Sequence, residues 1–231
     1  MEVQMCTTDC IDFIRAELET VSLAGMRVLE VGAYDVNGSI REIVGSGGPA
    51  EYVGVDIVSG PGVDVVCDVQ DLATRFGKDS FDVVVTTEMM EHVPDWRGAM
   101  ANMKTVLRPR GILLLTTRSR GCAFHGYPGD YWRYEPQDMR EIFKDMQIEA
   151  LERDRSGTPG IFVRAIKPSG WSPGANFEGV RLYSIVWRRR IHSASAIDRA
   201  VSRSYATAIQ LGVRILPRSV KQVASRVMGR S

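Results

Sequence analysis

Three stretches of this chain hold residue types at spacings that could do chemistry. In the first, Val28-Leu29-Glu30-Val31-Gly32-Ala33-Tyr34-Asp35-Val36-Asn37-Gly38-Ser39, an apolar run enters a turn that carries Gly32 and Gly38. Glycines let a backbone approach a ligand closely and take dihedral angles closed to other residues. Asp56 and Ile57 end the next apolar run, where a carboxylate can accept both hydroxyls of a ribose. Together they ask for a nucleoside-containing ligand. Glu30 would sit badly beside a pyrophosphate and well beside a sulfonium or an ammonium group. In the second stretch, Thr87-Glu88-Met89-Met90-Glu91-His92-Val93 closes a later apolar run with a polar cluster. In the third, residues 118–134, His125, Asp130 and Arg133 stand among Tyr127, Tyr131, Trp132 and Tyr134. That segment is too long and too aromatic for a mere connector.

These groups need elements to hold them. Short apolar strands are expected at 27–31, 52–56, 63–66, 82–86 and 111–117, several of them continuous Val, Ile and Leu runs of the kind found when both faces of a sheet are covered. Helices are expected at 38–44, 69–76, 96–107 and 136–146, between the strands, so the pattern is that of a mostly parallel sheet sandwiched by helices. Ahead of them, Ile11, Ile14, Leu18 and Val21 recur at helical spacing behind the capping candidates Thr8 and Asp9. After them, 147–153 and 161–166 flank the turn Ser156-Gly157-Thr158-Pro159-Gly160 as an antiparallel pair that closes the sheet.

With Val65-Val66-Cys67-Asp68-Val69 ending the third strand and Leu107-Arg108-Pro109-Arg110-Gly111 leading into the fifth, residues 21–167 resemble a class I S-adenosylmethionine-dependent methyltransferase, in particular the small-molecule, type 11-like group whose fourth strand is followed by Glu-His-Val. The resemblance implies a doubly wound, Rossmann-like α/β sheet of seven strands in the order 3-2-1-4-5-7-6, the last strand antiparallel. It implies S-adenosylmethionine as cofactor, with S-adenosylhomocysteine as product. Glu30, Gly32, Ala33, Tyr34 and Gly38 would cradle the methionine part, Asp56 and Ile57 the ribose, Asp68 and Val69 the adenine, and Thr87 and Glu88 the methionyl end. The glycines that usually alternate in the turn are interrupted by Tyr34, and Asp68 also has the position of a helix cap.

Methyl transfer to a hydroxyl needs alignment and proton removal. His92 and His125 are the candidate bases, Asp130 orients or replaces them, and Tyr127, Tyr131, Trp132 and Arg133 are the candidate substrate contacts. Glu88 and Glu91 alone are too few to hold a divalent ion, so metal-independent chemistry is expected. No adenine-amino or cytosine-C5 methyltransferase signature is present, so nucleic acid is not the favoured acceptor. The acceptor is expected to be a hydroxyl, or secondarily an amine, of a polar small molecule, a sugar or a lipid-linked glycan intermediate. Quinone or lipid methylation and a non-catalytic S-adenosylmethionine-binding protein are the alternatives.

Lys plus Arg number 29 and Asp plus Glu 28, which excludes a uniformly basic nucleic-acid binder. The near-balance hides an asymmetry, because residues 187–231 hold ten basic residues against the single acid Asp198. The chain divides on this reading into a methyltransferase domain at 1–167, a Pro- and Gly-rich linker at 168–186 and a basic extension at 187–231. Ile197, Val201 and Tyr205, then Val220, Val223 and Val227, give that extension two amphipathic helices. They could lie on an anionic membrane surface, pack on the acidic domain or pair with a second copy. Cysteine spacing suits no zinc or redox motif, and no apolar run approaches the ~20 residues of a membrane span. A cytoplasmic protein, peripheral at the inner membrane surface at most, is the expectation.

Overall fold

The computed structural model describes residues 8–36, 38–125, 129–154, 157–172 and 177–211. Tyr127 and the second amphipathic stretch of the extension lie outside the described residues. Chain order is α1 (Thr8–Glu19), β1 (Arg27–Val31), α2 (Arg41–Ser46), β2 (Glu51–Asp56), β3 (Val65–Val66), α3 (Leu72–Phe76), β4 (Phe81–Thr87), α4 (Trp96–Val106), β5 (Leu107–Arg118), β6 (Trp132–Arg133), α5 (Pro136–Ile142), β7 (Gln147–Arg153), β8 (Gly160–Ile166), β9 (Leu182–Ser184), β10 (Arg189–Ile191) and α6 (Ala196–Gln210).

Seven strands form one sheet in the order β3-β2-β1-β4-β5-β8-β7. Because the short β6 stands outside it, this is the expected 3-2-1-4-5-7-6 order, and β8 runs antiparallel to both neighbours. The central strands β1, β4 and β5 are buried along nearly their whole length, since helices cover both faces and continuous Val, Ile and Leu runs have no side that must stay polar. One apolar layer joins α3, α4 and α5 to the sheet around Trp96, Met103, Phe143 and Leu113. The other seats α1 through Cys10, Phe13, Ile14 and Leu18. Asp95 caps α4 by accepting from Gly98 N–H at 3.1 Å, and Pro136 opens α5 behind a reciprocal Glu135 and Asp138 capping box.

Part of the segment expected as a linker is packed into the fold. Within 168–186, Phe177, Val180 and Leu182 are buried in the main apolar layer, and β9 pairs with both β6 and β10 to make a second, three-stranded sheet. Pro and Gly marked the bends but concealed the alternating apolar positions between them. The first helix of the extension exists, with a different inward face. Asp198, Val201, Ser202 and Ala206 are buried, while Ile197 is exposed. The inner face of this helix packs within the chain, with Ser202 against Asp130 and Tyr205 against Phe124. Among the described residues no helix is long and apolar enough to cross a membrane.

Candidate active site

The carboxyl ends of β1, β2 and β4 bring the first two chemical stretches together. Gly32 ends β1 at φ +84°, and a Cβ there would stand 2.8 Å from Met89, the residue after Glu88. Only glycine lets the first and fourth strand ends approach so closely. Tyr34, which interrupts the glycine pattern, lies with its ring over Gly60, where a side chain would overlap it. Ala33 is seated against Gly54 and Gly62 in the same way. The space expected inside the turn is thus provided by three glycines on the facing β2–β3 segment. The Asp56 carboxylate accepts from Tyr34 N–H at 3.3 Å and Val58 N–H at 3.2 Å, which tethers the turn to the end of β2.

Glu30 is buried in β1, beneath the turn, and accepts from the Tyr52 hydroxyl. Asp68 caps a short 3-10 turn through Gln70 N–H at 2.9 Å, and the Val69 side chain belongs to the core. Thr87 and Glu88 end β4, with Glu88 at φ +52° and paired to the buried Arg118 guanidinium. Glu88 therefore answers a cation of the protein itself.

The third stretch folds over β4 and β5. Glu91 is fully buried, its Oε2 accepting from the Thr117 hydroxyl at 2.8 Å. Its Oε1 lies 3.5 Å from His125 Nε2 and 3.9 Å from His92 Nε2. Among the described residues none of these three atoms has a hydrogen-bond partner at ordinary length. The two rings meet edge to face with centroids 5.1 Å apart. His92 Nδ1 donates to the Gly129 carbonyl at 2.7 Å, so in the neutral ring its lone pair is on Nε2, facing Glu91. Behind His125, Asp130 accepts from His125 N–H at 2.9 Å and lies 3.3 Å from Nδ1. Asp130 also receives both terminal nitrogens of Arg133, at 2.5 and 2.6 Å.

Burial opposes charge on His125, but its contacts with Asp130, Cys122 and Glu91 outweigh that and push its pKa up to about 12. Burial likewise opposes the Asp130 and Glu91 carboxylates, and Arg133 with His125, and His125 with His92, hold them well below the usual carboxylate range. These directions favour the cationic form of His125, while His92 is held through Nδ1 by the Gly129 carbonyl with its Nε2 turned to Glu91. Glu91, which the sequence analysis weighed only as a metal ligand, lies between the two histidine rings. Glu91, His92 and His125 each offer one ligand-type atom within 4.8 Å of the others, a grouping that chain spacing hides.

The expected substrate contacts on β6 are packing residues. Trp132 is buried and donates Nε1–H to the Val93 carbonyl at 2.9 Å. Arg133 is buried and bonded to Asp130 and to the carbonyls of Cys122 and Ala123. Tyr131 sits in the core, with its hydroxyl toward Ser202 and Arg203 of α6. Their polar ends are engaged by other groups of the protein.

A family model described as a methyltransferase domain matches residues 6–155. The chain belongs to the class I S-adenosylmethionine-dependent methyltransferases. It is 32% identical over 115 residues to the ubiquinone biosynthesis O-methyltransferase of Chromobacterium violaceum, covering 44% of this chain and 48% of that one. To the protein of the same name from Stutzerimonas stutzeri it is 28% identical over 175 residues, covering 67% and 72%. The chain spans about half the length of the first curated relatives it matches. In fold it is similar to the Burkholderia thailandensis 1,6-didemethyltoxoflavin-N1-methyltransferase, solved with S-adenosylhomocysteine, at a TM-score of 0.53 and 17% identity over 70% of this chain and 77% of that one. A Mesorhizobium loti S-adenosylmethionine-dependent methyltransferase gives 0.55 and 14%, over 71% of this chain and 100% of that one.

The cofactor of this class, S-adenosylmethionine, suits the residues present. Tyr34, Val36, Ile57, Val58 and Val66 leave apolar side chains exposed around the ends of β1, β2 and β3, a surface that an adenosine would cover. The Asp56 carboxylate stands among them, half-buried and, among the described residues, held by two long bonds from main-chain N–H groups, with capacity left for ribose hydroxyls. The buried Thr86 hydroxyl near the end of β4 has no partner among the described residues.

Proposed function

We propose that this methyltransferase moves a methyl group from S-adenosylmethionine to a hydroxyl oxygen of a small molecule, with His92 as the base. The observation that carries this reading is the meeting of His92 Nε2, Glu91 Oε1 and His125 Nε2 in one dry cluster, beside the strand ends where the cofactor surface lies. The cofactor supplies an electrophilic methyl on a sulfonium, and the protein must supply alignment and a destination for the acceptor proton. His92 Nε2 receives that proton, while the Gly129 carbonyl holds the opposite ring edge. The fixed imidazolium of His125 stabilises the oxygen as its proton leaves. The charges of Glu91, Asp130, His125 and Arg133 cancel, so a proton arriving on His92 is not opposed by a net cationic cluster. Asp56 and Gly32 hold the cofactor from the other side.

A sugar or other polar metabolite suits the charged cluster. A phenolic hydroxyl, as on a quinone precursor, is the second reading, supported by the O-methyltransferase names of the curated relatives and by the readier ionisation of a phenol.

Calorimetric titration with S-adenosylhomocysteine and with NAD tests the cofactor half, and saturable binding of the first alone is expected. Formation of S-adenosylhomocysteine in the presence of sugar, phenol and amine acceptors tests the other half. Binding of NAD alone, or turnover with amines only, would overturn the proposal.

A further inference from the structure

We propose that the C-terminal helix α6 is a working part of the acceptor site and that Ser202 is a positioning residue, fixing Asp130 so that its carboxylate orients His125. The inference rests on the acceptor-site reading above, and it assigns catalytic geometry to a segment beyond the residues 6–155 that define the family match.

Ser202 is fully buried. Its Oγ accepts from Asp130 N–H at 2.8 Å and donates to the Asp130 carbonyl at 2.9 Å. One side chain thus closes both main-chain groups of the residue that holds His125, as a neighbouring strand would. The approach is close, since a Cβ on Gly129 would lie 3.1 Å from Ser202 Oγ and 2.6 Å from the Tyr131 hydroxyl. Gly129 is also the residue whose carbonyl orients His92. Both histidines therefore hang from two adjacent peptide units seated on α6.

The helix is itself held. Ser195 caps it by accepting from Asp198 N–H at 3.2 Å, Trp187 Nε1–H donates to the Asp198 carboxylate, and Tyr205 meets Phe124, next to His125, edge to face at 4.5 Å. From below, β9 pairs with β6, and Ile185 N–H donates to the Tyr131 carbonyl at 3.0 Å. The acceptor segment is clamped between these two pieces of the C-terminal region. Removing the Ser202 hydroxyl would leave a buried N–H and a buried carbonyl unpaired, and a segment that relaxes to satisfy them turns the Asp130 carboxylate away from the ring.

The titration of His125 reads this directly and needs no acceptor. The chain has three histidines, so ring 13C-histidine labelling of the full chain gives three resolvable signals, assigned with His192→Asn and His92→Gln. The groups that face the His125 ring are Asp130, Glu91, His92, Cys122 and Arg133. Ser202→Ala is expected to lower the His125 midpoint by at least one pH unit, Asp130→Asn by at least as much, and Ser202→Thr, which keeps the hydroxyl, to restore most of it. S-adenosylhomocysteine affinity should stay within about twofold, because Ser202 touches nothing at the ends of β1 to β3. If Ser202→Ala does not fold, Ser202→Cys keeps the volume with weaker bonds and answers the same question. A His125 midpoint that is unmoved by the Ser202 variant but lowered by Asp130→Asn would overturn the proposal. A folded chain with these shifts that methylates no hydroxyl would instead overturn the functional reading and leave the positioning role standing.

Discussion

The two halves of the site are built in opposite ways. Around β1 to β3 the protein leaves apolar side chains in water, and the Asp56 carboxylate takes only long bonds from main-chain N–H groups among the described residues. Above the ends of β4 and β5, Glu91, His125, Asp130 and Arg133 are buried and joined into one connected set. The first half is completed by its ligand, which covers what the protein exposes. The second is organised in advance, because a proton must have somewhere to go before an acceptor arrives. Affinity is therefore expected to be spread over many modest contacts on the cofactor side and turnover to be concentrated in a few residues on the acceptor side.

That contrast is open to attack from its strongest point downward. His92→Ala should lower kcat by about 10²-fold or more, the usual scale of general-base loss, with S-adenosylhomocysteine affinity unchanged. An equal loss of both would mean that the halves are not separate. Asp56→Ala should weaken S-adenosylhomocysteine binding by more than about tenfold, since ribose hydroxyls lose a charged acceptor, and calorimetry reads this without an acceptor. Ile57→Ala or Val66→Ala should each weaken it by only a few-fold, the scale of losing part of one apolar contact. A loss as large as that of Asp56→Ala would show that the cofactor side, too, is concentrated in single residues.

The smallest expected effect is on stability. The folded pKa of His125 is raised above its ordinary value of 6.5 to about 12, so its contribution is fully present below pH 6.5 and is lost progressively as pH rises toward the folded value. Urea midpoints should fall from pH 6.5 to pH 9 in the parent chain and fall less in His125→Gln. Equal slopes would remove the imidazolium from the acceptor half.

What could be read in advance follows the same division. The strands and the sheet order were legible because a doubly covered strand must be apolar throughout, and 27–31 was placed to the residue. The meeting of Gly32 and Asp56 at neighbouring strand ends was legible because it depends only on position along those strands. The acceptor side resisted. His125 reads as a free base in sequence, yet its charge is set by Asp130, five residues on, and by Glu91, far back in the chain. Tyr34 reads as a defect in the glycine turn until Gly54, Gly60 and Gly62 are seen to face Ala33 and Tyr34 from another segment. The run from 168 to 186 reads as a linker because Pro and Gly outnumber its buried residues, although Phe177, Val180 and Leu182 reach the core.

The position of β8, last in the large sheet yet wedged between β5 and β7, bears on the order in which the molecule comes into being during synthesis. Strands β1 to β5 can begin to associate as they leave the ribosome, and the glycine turn and Asp56 are present early. The far edge must wait for Ile166, and the clamp on Asp130 for Ser202. A nascent chain thus completes the glycine turn and the Asp56 strand end well before Ser202, on the last helix among the described residues, can close the main-chain groups of Asp130.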